Sequence, residues 1–177
     1  MDYSNKPVIF LTKEELLHLY NFKIPKNGEK IKLLDMYGKE YEKVVEDAGG
    51  MEKTRDCFCF CAFTSLRYSD LANQLMNRYL KNLCELAGFN KPITRTCYRA
   101  GQRVEETFPK YEMIGTHAGR RTFICFALSS GIPPQVVMKW TGHSDYQAMK
   151  PYIAIAEKTT EKTKADAMKL FDEELKK

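Results

Sequence analysis

The sequence lacks the motifs that mark many nucleotide- and metal-dependent enzymes. It has no GxGxxG or GxxxxGK[ST] loop to hold a phosphate chain, no HExxH motif and no carboxylate cluster typical of a metal-dependent nuclease. We therefore predict neither a metal nor a cofactor. It also lacks an uncharged apolar run near the roughly 20 residues of a membrane span, and its N-terminus has no signal-peptide pattern. We expect a cytoplasmic protein that does not bind a membrane.

The six cysteines form no CxxC pair, and no histidine lies near them at zinc-ligand spacing. Three of them alternate along a largely apolar stretch. The full set is Cys57, Cys59, Cys61, Cys84, Cys97 and Cys125. In a reducing compartment this pattern favours small buried thiols over a zinc site.

The composition excludes general disorder, since 44% of the 177 residues are apolar and 29% are charged. The formal charge of +5 is unevenly distributed. Residues 78–150 carry 11 Lys/Arg against 5 Asp/Glu, whereas residues 1–77 and 151–177 are close to neutral. If a polyanion binds this protein, the third quarter of the chain is where we expect it.

Hydrophobic periodicity predicts one mainly α domain with a small β-hairpin over residues 93–108. The pair Thr12 and Glu15 predicts a capping box at the start of the first helix. Gly49 and Gly50 are predicted to end the second helix. The remaining predictions are helices over 33–45, 54–65, 76–87, 116–131 and 133–140, helix caps at Ser69 or Asp70 and at Ser144, an interruption at Pro151, and a charged amphipathic helix over 154–175.

Four polar residues in the second half of the chain could share one chemical task. His117 and Arg120 stand three apart at a predicted helix start, where partial positive charge and open N–H groups suit a phosphate. His143 follows a short helix, and Tyr152 comes nine residues later. Taken singly, each has an ordinary interpretation: a capping histidine, a solvated arginine or a core tyrosine.

Taken in order, the motifs resemble those of the tyrosine recombinases, the phage integrase family. The segment FTSLRYSDL (63–71) is similar to the first-arginine box and contains Arg67. THAGRRTF (116–123) resembles the HxxR box, and WTGH (140–143) followed by Tyr152 resembles the GH…Y ending. The likeness is strongest to integrases of conjugative transposons and related mobile elements, and it extends over residues 8–171.

The resemblance implies the fold of this family's catalytic core and a reaction without metal or ATP. Tyr152 would be the nucleophile that forms a 3′-phosphotyrosyl link. Arg67 and Arg120 would bind the non-bridging phosphate oxygens, since guanidinium forks match phosphate. His117 would take or shuttle the tyrosine proton, and His143 would donate to a phosphate oxygen.

The sequence departs from the family at two places. The family carries a lysine, on a β-hairpin, that protonates the leaving hydroxyl, and near residues 72–76 there is no room for it. Because the flanking residues match on both sides, we expect a missing segment of several tens of residues rather than a true loss. We also expect the family's N-terminal core-binding domain to be missing from this sequence. The helix over 154–175 either covers its own core or, as the resemblance implies, packs in trans on a neighbouring protomer.

The sequence thus predicts a site-specific DNA recombinase of a mobile element. Its partners would be double-stranded DNA, further copies in a tetramer, and accessory DNA-bending or excision factors. The alternative is a catalytically impaired DNA-binding remnant or regulatory integrase-like module. A type IB topoisomerase, which is chemically related to the recombinases, is a further alternative. Six basic residues are candidates for phosphate contacts, with ordinary solvation as the competing interpretation: Arg95, Arg99, Arg103, Arg121, Lys139 and Lys150.

Overall fold

A computed structural model describes residues 7–65, 73–99 and 102–161 of the chain. The chain is mainly helical, as predicted, with two small antiparallel hairpins where the sequence predicts one. Within the described ranges, no helix is both long enough and apolar enough to cross a bilayer. The elements are α1 (Lys13–Asn21), β1 (Lys30–Leu34), β2 (Glu40–Val44), α2 (Ala48–Thr64), α3 (Asn73–Leu86), β3 (Pro92–Arg99), β4 (Gln102–Pro109), α4 (Lys110–Met113), α5 (His117–Ser129), α6 (Pro134–Thr141), a 3-10 turn (Tyr146–Met149) and α7 (150–161).

The first helix begins where the sequence predicts. Thr12 is the N-cap: its hydroxyl accepts from the Glu15 N–H at 3.3 Å, and the Glu15 carboxylate accepts from the Thr12 N–H at 2.7 Å. The predicted capping box is confirmed. The same carboxylate accepts from the buried Nζ of Lys110, 2.7 Å from Oε1, which joins α1 to the base of the second hairpin.

The helix predicted over residues 33–45 is wrong, because this segment forms the β1–β2 hairpin. The strands pair antiparallel, with Leu33 opposite Tyr41. Between them the carboxylate of Asp35 accepts from the N–H groups of Tyr37 and Lys39, both at 2.8 Å. This local turn reverses the chain and overrides the helical spacing of the apolar residues.

The helix predicted over 54–65 is α2 of the structure, and it starts six residues earlier, at Ala48. Asp47 caps α2 by accepting from the Gly50 N–H at 2.9 Å, so Gly49 and Gly50 lie in the first turn of α2 rather than at the end of a preceding helix. Asp47 also accepts from the Tyr79 hydroxyl at 2.5 Å. A Cβ on Gly50 would lie 2.5 Å from Asp47 Oδ2 and 2.8 Å from Tyr79 Cζ, so this position has room only for glycine.

The second hairpin confirms the prediction over 93–108. β3 pairs with β4 from Pro92 opposite Pro109 to Arg99 opposite Gln102. At its base the Lys110 N–H donates to the Lys91 carbonyl at 2.9 Å, which leads the chain into α4.

The C-terminal elements agree with the predictions except at one cap and at Pro151. α5 and α6 lie within two residues of their predicted bounds. Asp145, rather than Ser144, caps the 3-10 turn by accepting from the Gln147 N–H at 2.8 Å. Pro151 does not interrupt a helix: it lies in the first turn of α7, where its missing N–H needs no partner. Residues 162–175 of the helix predicted over 154–175 lie outside the described residues.

Two groups of buried side chains hold these elements together. The first cluster joins α1, both hairpins, α2, α3 and the start of α5, with Phe58, Leu80 and Leu83 fully buried. It consists of Ile9, Leu11, Leu16, Leu19, Leu33, Val45, Met51, Phe58, Cys59, Ala62, Met76, Leu80, Leu83, Cys84, Leu86, Ala87, Phe89, Ile114 and Ala118. The second cluster joins α5, α6, the 3-10 turn and α7 through Ile124, Ala127, Leu128, Val137, Met149 and Ala156.

All six cysteines are free thiols. The prediction of buried thiols is confirmed for Cys59, Cys61, Cys84 and Cys125, whereas Cys57 and Cys97 are half-buried. Burial raises the pKa of Cys59 to about 11 and that of Cys125 to about 12, so these thiols stay protonated at neutral pH.

Candidate active site

Four of the five predicted catalytic residues lie in described parts of the chain. His117 and Arg120 are on α5, His143 follows α6, and Tyr152 is in the first turn of α7. Arg67 lies outside the described residues. The cap predicted at Ser69 or Asp70 also lies there, as does part of the junction near 72–76. α3 begins at Asn73, immediately after the undescribed stretch.

Small residues inside the HxxR segment bring α5 close to α2. Ala118 is 2% exposed, and Gly119 is also buried. A Cβ on Gly119 would lie 3.4 Å from the ring and from the carbonyl oxygen of Phe58, both in α2. His117 is exposed and Arg120 is half-buried on either side of this contact.

The N-terminus of α5 is held by a side chain from α3. The Oδ1 atom of Asn77 accepts from the Thr116 N–H at 2.8 Å. A Cβ on Gly115 would lie 3.2 Å from the same Oδ1, so glycine allows the close approach. The first turn of α5 has no acidic residue, and the exposed His117 lies in it. The N–H groups of Ala118 and Gly119 donate to the carbonyls of Gly115 and Thr116, at 2.8 and 3.3 Å, so the open N–H groups that the sequence predicts are not found here. What favours an anion at this end of the helix is the positive end of the helix dipole.

Arg120 contacts the end of α2. Its Nη1 donates to the carbonyl oxygen of Ser65 at 3.1 Å. Ser65 is the C-cap of α2, with φ at 61°, and its own N–H donates to the Cys61 carbonyl. Because Ser65 precedes Arg67 by two residues, the contact brings Arg120 to the backbone at the start of the first-arginine segment.

His143 is positioned by the end of α6. Gly142 is in the left-handed conformation, with φ at 63°. The N–H groups of Gly142 and His143 both donate to the Met138 carbonyl, the latter at 3.0 Å. This turn places His143 Nδ1 2.7 Å from the Oγ1 of Thr141, a side chain only 3% exposed.

Tyr152 is half-buried and packs against the second cluster. That cluster includes residues of α5, the helix that bears His117 and Arg120, and of α6, the helix that leads to His143. The same small core therefore supports the elements that carry four of the predicted catalytic residues.

Three of the six residues predicted to contact DNA form ion pairs with glutamates on the second hairpin. Arg95 lies 3.1 Å from Glu106, Arg99 also pairs with Glu106, and Arg103 lies 2.8 Å from Glu105. The pKa of Glu106 is lowered, chiefly by the hydrogen bond from Arg95 and then by that from the Cys97 thiol. The pairing reduces the positive potential of this hairpin.

The other three predicted DNA contacts lie on the helical body. Lys139 is exposed in the last turn of α6, and Lys150 is exposed at the start of α7. Arg121 is half-buried on α5, next to Arg120 in sequence. All three are therefore on elements that also carry, or directly adjoin, a predicted catalytic residue.

No family model, no curated protein and no solved structure matches the chain. The interpretation of the site therefore depends on the motifs and on the geometry described above. That geometry adds three residues that the sequence motifs did not single out: Ser65, Asn77 and Thr141. Of these, Thr141 had a local signal, since it lies beside a glycine at a predicted helix end.

Proposed function

We propose that the chain is the catalytic domain of a tyrosine-type site-specific DNA recombinase of a mobile element. The observation that supports this most is the hydrogen bond from Arg120 to Ser65. It joins the HxxR segment to the first-arginine segment, two motifs that lie 55 residues apart at this contact. A recombinase needs this proximity, because both arginines must reach one phosphate.

Two arginines and a helix N-terminus would stabilise the charge that develops on phosphorus. Arg67 and Arg120 would each place N–H donors on non-bridging oxygens. The N-terminus of α5, with no carboxylate in its first turn, would add partial positive charge at the same place. His143 would donate to a further phosphate oxygen.

Tyr152 would supply the nucleophile. Its phenolic oxygen forms a bond to phosphorus while the phosphorus–O5′ bond breaks, and the phenolic proton passes to His117. The released 5′ oxygen leaves as a hydroxyl after it takes a proton, from the family's lysine where that residue is present and from water where it is not. Rejoining is the reverse step: a 5′-hydroxyl of the same or another strand attacks the phosphotyrosine and regenerates Tyr152. The phosphotyrosyl bond stores the energy of the cleaved linkage, so the step needs no ATP.

A second candidate function is DNA binding without efficient cleavage. Only the eight residues 65–72 connect α2 to α3, and part of the first-arginine segment already occupies them. Lys110, which follows the second hairpin, is buried against Glu15 and does not replace the family's lysine. In this view the chain binds DNA and lacks the acid that protonates the leaving group, as expected for a remnant or regulatory integrase-like module.

The proposed partners follow from the same scheme. Double-stranded DNA would lie along the basic third quarter of the chain, with phosphates near Arg121, Lys139 and Lys150. Strand exchange between two duplexes needs four protomers, so a tetramer would assemble on DNA, together with accessory bending or excision factors. A monomeric type IB topoisomerase, which only relaxes supercoils, would need DNA but neither the tetramer nor the accessory factors.

The deciding experiment uses DNA whose leaving group needs no acid. A nicked duplex with sulfur in place of the bridging 5′ oxygen expels a thiolate, so a missing lysine no longer limits cleavage. We expect wild-type protein to form a covalent adduct with this substrate in the presence of EDTA. Tyr152→Phe should form none, and the matched variant of an exposed tyrosine, Tyr146→Phe, should retain the adduct.

The outcomes separate the candidates. An adduct on the sulfur substrate but not on ordinary DNA would indicate a recombinase centre without its leaving-group acid. An adduct that persists in Tyr152→Phe would exclude Tyr152 as the nucleophile. The absence of an adduct on either substrate, despite DNA binding, would rule out the enzyme. Relaxation of supercoiled plasmid without any strand exchange would favour the topoisomerase.

A further inference from the structure

The hydroxyl of Thr141 lies between a carbonyl group and a histidine ring. Its Oγ1 is 2.7 Å from the Val137 carbonyl oxygen and 2.7 Å from His143 Nδ1, with the Met138 carbonyl oxygen farther away at 3.4 Å. Thr141 is 3% exposed, so bulk water does not compete for either contact. The geometry therefore fixes which atom must hold each proton.

A hydroxyl has one proton, and a carbonyl oxygen has none to give. Two oxygens 2.7 Å apart need a proton between them, and only Thr141 can supply it. The Thr141 proton is then committed to Val137, an (i, i−4) bond common for threonine in helices. The 2.7 Å contact with His143 needs its own proton, which the ring must provide from Nδ1.

We infer that Thr141 is a positioning residue that holds His143 in the form protonated on Nδ1, which assigns Nε2 to the phosphate. The assignment of Nε2 to a phosphate rests on the proposed function, whereas the position of the proton does not. In the neutral ring Nε2 carries a lone pair, so His143 donates to a phosphate oxygen only after it gains a second proton. Without the Thr141 hydroxyl, the His143 ring would no longer be held in one orientation, and its proton would no longer be held on Nδ1.

Nitrogen-15 NMR of the full chain reports the position of the proton directly. Two-bond correlations between ring nitrogens and carbon-bound protons distinguish the two neutral forms, and the chain has only three histidines. The His143 signals are those that vanish in His143→Gln. We expect neutral His143 to be protonated on Nδ1 in the wild type and in Thr141→Ser. In Thr141→Val, a near-isosteric variant without the hydroxyl, it should shift toward the Nε2-protonated form.

A second measurement tests whether the Thr141–His143 contact affects DNA cleavage. Adduct formation on the sulfur-substituted DNA should fall by about tenfold in Thr141→Val, the scale seen when a partner that orients a metal-bound histidine is removed. Thr141→Ser should restore the rate.

The NMR spectra test the Thr141–His143 contact, and the adduct assay tests the recombinase, so either proposal can be rejected without the other. A wild-type His143 that is neutral and protonated on Nε2 overturns the inference, even if Thr141→Val does not fold. So does a Thr141→Val spectrum that equals the wild-type one. A correct proton position with no adduct in any variant leaves the Thr141 contact in place and rejects the recombinase.

Discussion

Arg120 donates from Nη1 to the carbonyl oxygen of Ser65, and this bond joins α5 to the left-handed end of α2. Arg120 thus has an internal backbone partner and lies three residues after the exposed His117 on α5. Its neighbour Arg121 is also half-buried but has no part in the HxxR motif.

Substitution of Arg120 should therefore affect cleavage far more than substitution of Arg121. In Arg120→Lys the fork that could bind two oxygens is replaced by a single ammonium group. We expect adduct formation on the sulfur-substituted DNA to fall by about 10²–10³-fold, the effect of losing one transition-state donor. Arg121→Lys should change it by less than threefold or so, since the charge is kept. Equal losses in the two variants would contradict the assignment of Arg120 to the phosphate.

The two adjacent glycines at the start of α2 should respond to alanine in opposite directions. Gly49→Ala meets only Asp47 Oδ1, at 3.8 Å, and should stabilise the protein by about 0.5–1 kcal/mol through helix propensity. Gly50→Ala offers the same propensity but displaces Asp47 and Tyr79 from their hydrogen bond, so it should lower stability. Urea unfolding at equilibrium measures both. Stabilisation by Gly50→Ala would show that the cap moves without cost.

Acid should weaken the Asp47 cap. The Tyr79 hydroxyl and then the Gly50 N–H lower the pKa of Asp47 below its usual value, so the ionised carboxylate is favoured in the folded state. This contribution is present above the unfolded-state pKa, near 4, and is lost as the pH falls through the folded one. Asp47→Asn keeps an acceptor but cannot ionise, so its stability should depend less on pH below 4. Glu46→Gln, an exposed neighbour, should retain the wild-type pH dependence.

Release of the arginines on the second hairpin should strengthen DNA binding. Glu106 engages both Arg95 and Arg99, so Glu106→Gln would leave two guanidinium groups for phosphates. If both contact DNA, the slope of log affinity against log salt should steepen by up to about 2, at roughly 0.9 for each phosphate.

The control for this prediction is the same charge change on the first hairpin. Glu40→Gln on β2 removes one exposed carboxylate remote in sequence from the arginines. Fluorescence anisotropy of a labelled duplex at several salt concentrations compares the two variants. An equal gain in both would reflect net charge alone and remove Arg95 and Arg99 from the DNA interface.

Local signals in the sequence predicted most of the helices. The Thr12–Glu15 box, the spacing of apolar residues in α3 and the prolines before α6 all act within one or two turns, so they are visible in the chain itself. The first hairpin was missed because its apolar residues also fit a helical spacing. The deciding interaction, the Asp35 carboxylate on two backbone N–H groups, depends on a turn rather than on periodicity.

The sequence predicts which residues form the candidate site, but it does not predict the contacts that hold them in place. The motif spacing names His117, Arg120, His143 and Tyr152. The contact of Arg120 with Ser65 and that of Asn77 with Thr116 come from helix packing across 55 and 39 residues, which no local pattern encodes. The bond between Thr141 and His143 spans two residues, but it exists only because Gly142 turns the chain back.

The unequal size of the two clusters predicts which part of the described structure opens first. Among the described residues, the first cluster has 19 buried members and the second has six. Separation of α6 and α7 from α5 would expose only the smaller group, at a free-energy cost well below that of global unfolding. Amide hydrogens of residues 134–156 should therefore exchange with deuterium faster than those of α3. If they do, the tyrosine at the centre of the proposed chemistry belongs to the part of the described structure that opens first.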